Sequence, residues 1–399
     1  MRPRGTELAN GAIGFLFAAS GPLAIILSAG AAGGLDAARL SSWVFGVFAV
    51  NGALTLAMSA WFRMPLCFFW TIPGTVLVAG ALQRLPFEEV VGAYLATAAL
   101  ILAVGLSGLV GRAMRLVPMP IVMAMVAGVF LRFGLDLVHA LHDDAALAAP
   151  MVLAFVLLSA APALGRRLPP VIGALLVGAA LVLLLGRAEL PPGFSLAFAR
   201  PVPVMPRFGW EAMGALVVPL AVTVLVVQNG QGFAVLRAQG HQPPADAVTT
   251  ACGIGSLLAA LVGAVSTCLA GPTNALVAQG TQRERHYLGA MVTGTLAVGF
   301  GLLAPAVTGL MLAAPRVFVV ALAGLAMLRV LQATFVAAFA HRCALGALVC
   351  FLVTVADRPL LGIGAAFWGL LAGLLAARVL EPADLRAEAA PTPSPRSAP

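Results

Sequence analysis

The sequence predicts an all-α polytopic membrane protein with about fourteen transmembrane helices in a seven-plus-seven inverted repeat, two of them broken half-helices. Of its 399 residues 61% are hydrophobic and 10% charged, with a mean hydropathy of +1.03, whereas a soluble domain carries about 25% charged residues. Apolar runs such as Val90 to Val110 and Leu168 to Leu185 are long enough to cross a hydrocarbon layer of roughly 30 Å at about 1.5 Å per helical residue. Small-residue patterns also recur in order. Gly92-Ala-Tyr and Gly289-Ala-Met lie 197 residues apart, Val126-Ala-Gly and Leu322-Ala-Gly 196, and Gly173-Ala-x-x-x-Gly and Gly364-Ala-x-x-x-Gly 191.

The expected spans are 10–31, 41–61, 65–82, 89–110, 118–137, 148–164 and 169–186, then 211–229, 245–264, 266–279, 286–307, 317–335, 343–356 and 360–378. An odd number of spans per repeat gives the two repeats, 1–186 and 210–379, opposite orientations. A Pro-rich extracytoplasmic connector, 187–209, joins them, and 380–399 reads as a disordered cytoplasmic tail. With the amino terminus inside, the cytoplasmic segments hold fourteen arginines and the opposite segments seven. That asymmetry places both termini in the cytoplasm.

The net charge of +8 does not point to nucleic acid, because the basic residues sit in short loops and form no soluble basic face. The five cysteines lack CxxC spacing and read as small apolar core residues. No metal site, cofactor or catalytic constellation is expected. The five histidines, His139, His142, His241, His286 and His341, fall in expected loops. The acids fall in loops or at span ends. Glu211, opening the eighth span, and Asp246, opening the ninth, are the nearest candidates for proton coupling.

The third and tenth spans are short and interrupted: Trp70-Thr71-Ile72-Pro73-Gly74-Thr75 in one, Gly271-Pro272-Thr273-Asn274 in the other. Paired broken helices in matching places point to a midplane binding site. A helix that starts inside the membrane presents unpaired N–H groups and partial positive charge, a suitable end for a carboxylate. The substrate-binding candidates are therefore Thr71, Pro73, Gly74, Thr75, Gly271, Thr273 and Asn274. Gln228 and Asn229 join them as amides at the close of the eighth span, and Ser20 as a break in the first; a polar cytoplasmic helix end is the other reading of Gln228-Asn229. Arg132 reads as a snorkelling residue paired with Asp136 one turn on, and Asn51 as interhelical glue.

Arg63-Met-Pro, Trp70-Thr-Ile-Pro-Gly-Thr, Gly105-Leu-Ser-Gly-Leu, Ala127-Gly-Val-Phe-Leu-Arg-Phe-Gly-Leu-Asp136, Gln228-Asn through Gly232, and Leu361-Gly-Ile-Gly-Ala-Ala-Phe-Trp-Gly-Leu together resemble the BenE benzoate transporter family, from about Ser41 to Gly373. The resemblance implies benzoate–proton symport in a bacterial inner membrane and a fold similar to nucleobase and sulfate transporters. Ser266 to Asn274 and Ser20-Gly-Pro depart from the family's pattern at the proposed cavity. The function expected is import of benzoate or a similar aromatic carboxylate with protons, by alternating access; a homodimer is the assembly considered. A nucleobase or other organic anion on the same fold, or a passive channel, is the alternative, and an enzyme is not expected.

Overall fold

The computed structural model describes residues 3, 5–19, 21–113, 118–161, 168–187, 197–278, 282–340, 342–358, 360 and 365–389. The first span is two helices, α1 (Gly5–Ala19) and α2 (Gly21–Ala32), and the second is α3 (Ala37–Phe62), with a π-helical turn at Gly46–Val50. The third is a strand, β1 (Phe68–Trp70), followed by α4 (Ile72–Leu82). Then come α5 (Phe87–Leu106), α6 (Met119–Asp143), α7 (Ala145–Ala160) and α8 (Pro170–Leu184).

The second series repeats this order. It comprises α9 (Trp210–Ala238), α10 (Ala245–Leu261), β2 (Thr267–Leu269), α11 (Gly271–Val277), α12 (His286–Leu302), α13 (Ala304–Leu312), α14 (Arg316–Phe339), α15 (Ala344–Ala356) and α16 (Ala365–Leu380). Six of these segments are long and apolar enough to cross a membrane unaided, and the segment ending in α12 bends by 73° into α13. Leu183, Leu184 and Val379 stay exposed, as lipid-facing side chains do.

The packing follows the inverted repeat. α5 lies on α10 as α12 lies on α3; α7 pairs with α8 as α15 pairs with α16; α2 meets α4 as α9 meets α11; α6 and α14 pack on each other. Glycines let the backbones touch. A Cβ on Gly52 of α3 would come within 2.8 Å of Gly294 O, and one on Gly253 of α10 within 2.6 Å of Leu102 Cα. The helices thereby form two packing units, α1–α5 with α9–α13 and α6–α8 with α14–α16. They meet along α2–α14, α4–α6 and α9–α6.

Several expectations change. The eighth span does not close at Asn229 but continues to Ala238, so Gln228 and Asn229 lie inside a helix, not at its cytoplasmic end. His139 and His142 belong to α6 and His286 opens α12; His241 alone of the described histidines is in a loop. The tail is not wholly irregular, because Pro382–Ala389 forms α17. Glu381 and α17 fold back on the start of α15: Glu381 accepts from Leu345 and Gly346 N–H at 2.9 and 2.8 Å, and Asp384 from Cys343 N–H at 3.1 Å. Carboxylates at a helix start satisfy N–H groups the helix itself leaves open.

Candidate functional site

A helix interrupted inside a membrane must satisfy its backbone locally. Here the two interruptions satisfy each other: β1 and β2 pair antiparallel, Phe68 with Leu269, Phe69 with Cys268 and Trp70 with Thr267. Pro73 and Pro272 are 199 residues apart, and the same separation relates Phe69 to its partner Cys268. A local two-fold axis therefore passes between Phe69 and Cys268. The surrounding bonds obey it. Thr71 N–H donates to Ser266 O at 3.0 Å and Ala270 N–H to Cys67 O at 2.9 Å. Thr55 Oγ1 accepts from Phe68 N–H at 2.8 Å as Ser256 Oγ accepts from Thr267 N–H at 2.9 Å.

The axis brings the first turns of α4 and α11 to the two ends of one strand pair, but they are finished differently. Thr71 caps α4: its Oγ1 accepts from Gly74 N–H at 3.2 Å and donates to Thr223 Oγ1 at 2.9 Å. Thr75 Oγ1 donates back to Thr71 O at 3.0 Å. Thr71, Pro73, Gly74 and Thr75 are all buried, and a Cβ on Gly74 would meet Leu220 of α9 at 2.8 Å. At the equivalent place α11 has Ala270 and no side-chain cap.

The amides expected to face a substrate turn their oxygens to the backbone. Asn274 Oδ1 accepts from Cys67 N–H and Asn229 Oδ1 from Leu269 N–H, both at 2.9 Å. Their Nδ2 groups are buried without a hydrogen-bond partner, so each retains a spare donor beside the crossing. Gln228 is buried one residue away. Gly271 packs against the Gln231 side chain, and Thr273 turns its methyl toward Gly14 of α1. Asn51 ties α3 to the strand β2 and not to another helix, accepting from Thr267 Oγ1 at 2.7 Å. Ser20 lies outside the described residues.

Thr223, Thr55 and Ser256 escaped the sequence reading. Hydroxyls are ordinary in membrane helices, and only the 199-residue register, readable from the two prolines, marks where the strand backbones need partners.

A cavity of about 870 Å³ lies between the two packing units. Val76, Leu216, Gly128 and Thr354 line its apolar part, with Val76 a single turn beyond the start of α4. Charged side chains and a histidine ring the rest: Arg84, Arg132, Asp136, Glu211 and Arg316, with His139. Arg84 pairs with Asp357 at 3.8 Å. The expected Arg132–Asp136 pair is not among the ion pairs of the described residues; both residues line the cavity instead. Glu211 is exposed there, whereas Asp246 is exposed at the other end of α9, near Gly108.

Two further polar pairs lie at the Asp246 end. Glu7 of α1 is buried and accepts from Arg285 Nε at 2.6 Å. His241 Nε2 and His286 Nδ1 are 3.0 Å apart, both buried. Burial first, then His286 and Arg283, push the His241 imidazole down to about 4, with Glu284 opposing.

Paired half-helices at a midplane crossing, beside a cavity between two helix units, make a transporter's architecture. The profile of the family described as benzoate membrane transport protein, BenE, matches residues 4–379. The chain belongs to the BenE family. Among relatives of this BenE protein, the inner membrane protein YdcO of Escherichia coli is 32% identical over 92% of this chain and 93% of its own. The benzoate membrane transport protein of Acinetobacter baylyi is 28% identical over 93% and 94%. The transmembrane domain of a cyanobacterial bicarbonate transporter, BicA, shares the fold with a TM-score of 0.61 at 16% identity, covering 94% of this chain and 99% of that one. This BenE chain is thus a multi-pass membrane transporter of a bacterial family, with no enzyme among these relatives.

Proposed function

We propose that this BenE protein imports benzoate or a similar aromatic carboxylate together with protons across the bacterial inner membrane, by alternating access and with both termini cytoplasmic. The observation that carries this reading is the crossing itself: two helix starts related by a two-fold axis, two spare amide donors, and no carboxylate among the described residues around them. Such a place suits an anion. A nucleobase carrier would need an acid there to receive ring N–H groups. The site we assign is Thr71, Pro73, Gly74, Thr75, Gln228, Asn229, Gly271, Thr273 and Asn274, with Ser20 at the break of the first span. The relative described as a benzoate membrane transport protein supports the choice of acid.

For coupling, Glu211 has the better position because it lines the cavity, while Asp246 does not. The substrate carboxylate itself offers a second route for the proton, since a neutral acid avoids carrying uncompensated charge through a low-dielectric path. Uptake of labelled benzoate into proteoliposomes under an inward proton gradient tests the reading, with a protonophore control and competition by substituted benzoates, uracil and sulfate. Saturable uptake, abolished by the protonophore and blocked by aromatic acids alone, is expected. Absence of benzoate uptake with retention of another competitor's uptake would overturn the substrate assignment and leave the fold standing.

A further inference from the structure

A groove of about 550 Å³ runs along the outside of the bundle where α1 begins, α3 ends and α12 begins. Its walls are Leu8 of α1 and Ala60 of α3; its floor is the face of α12 carrying Leu288, Met291, Val292 and Leu296. The groove exists because α1 and α3 both press onto α12 through glycines. Gly11 sits against Gly289 and Val292, and Gly52 against Gly294 and Val298. Between these contacts the two helices leave α12 uncovered. Thr295, also on that face, satisfies its hydroxyl on Met291 O at 2.9 Å, so the floor asks for no polar partner.

Arg63 stands at the lip. It is exposed, lines the groove, and takes part in no ion pair among the described residues. Glu7, on the same end of α1, is committed to Arg285 and does not neutralise it. Arg63 also occupies the C-cap of α3 with φ 49 and ψ 38, a left-handed conformation that glycine adopts freely and a residue with a Cβ does not. An arginine kept at a glycine position, at the head of an apolar trough, is a cation held in place for something.

We propose that this groove binds an anionic phospholipid, one acyl chain lying on α12 and the headgroup phosphate on the Arg63 guanidinium. The chemistry matches at both ends. A guanidinium holds phosphate through paired charge-assisted N–H bonds, and Leu288 to Leu296 spans about 12 Å of helix, the length of a substantial part of an acyl chain. The occupant is a lipid and not a free anion, because most of the lining is apolar and would gain nothing from phosphate alone.

Native mass spectrometry of the delipidated full chain tests this, with phosphatidylglycerol and phosphatidylethanolamine of matched chains and inorganic phosphate as probes. The wild type is expected to retain phosphatidylglycerol in preference to phosphatidylethanolamine and to ignore inorganic phosphate. Arg63→Gly removes the guanidinium while relieving the backbone, so it should melt no lower than the wild type and hold phosphatidylglycerol about tenfold more weakly. Ala60→Phe, which fills the trough and keeps Arg63, should weaken both lipids alike. Unchanged phosphatidylglycerol retention in Arg63→Gly, or phosphate binding as tight as lipid binding, would overturn the proposal.

Discussion

Asn274 is a side chain whose type was legible in the sequence and whose task was not. Its amide oxygen anchors the Cys67 N–H at 2.9 Å in a fully buried place, a duty that depends on a strand pairing invisible in local pattern. Asn274→Ala leaves that donor open and should cost about 1–3 kcal/mol, read as a lower thermal midpoint in detergent, before any effect on uptake is scored. The buried imidazoles make a separate prediction. His241 is held neutral to about pH 4 in the fold, against an ordinary 6.5. Since the unfolded chain binds that proton first, its contribution is present above pH 6.5 and lost as pH falls from 6.5 toward 4. The melting temperature should therefore fall over that window, and His241→Gln should flatten the dependence; an equally steep profile in the variant would assign it to another group.

At the scale of elements, most helices announced themselves by apolar runs, and their ends did not. The run Gln228-Asn-Gly-Gln-Gly reads as a helix terminus because it is polar and glycine-rich, yet α9 passes through it. Gly232 lies against Leu269 of β2, where a Cβ would sit 2.6 Å from its side chain, so the glycine serves an approach and not a stop. The same logic makes Gly253→Ala informative. Its Cβ would meet Leu102 backbone, so α5 and α10 must separate, at a cost of about 1–3 kcal/mol, visible as loss of folded protein in detergent. The α15 start is a second test. Glu381→Ala removes the acceptor for two N–H groups and should destabilise by about 1 kcal/mol, with faster hydrogen exchange confined to the first turn of α15.

For the whole molecule, the order of elements and the existence of a repeat could be read from the sequence, because small residues recur where helices touch. The axis took the structure to locate: Pro73 and Pro272 share the 199 of the strands, but the other sequence offsets of 197, 196 and 191 differ from it, since loops between them vary in length. Nor does the chain show which side is open. The cavity makes that measurable. Gly80 lines it, and a side chain there meets nothing within 4 Å, while all five native cysteines are buried. Gly80→Cys should react in intact cells with a membrane-impermeant thiol reagent, and saturating substrate should slow the reaction; labelling only in inverted vesicles would reverse the assigned orientation.

The strand crossing has a mechanical consequence. Each half-helix is anchored through the other's backbone by the ladder and by the Asn274–Cys67 bond, and β2 is tied to α9 by Asn229, so neither can tilt alone without breaking buried bonds. The pair must then ride as freight within its helix unit. In the alternating access we propose, the seam along α2–α14, α4–α6 and α9–α6 is then the sliding surface, and the site keeps its shape throughout.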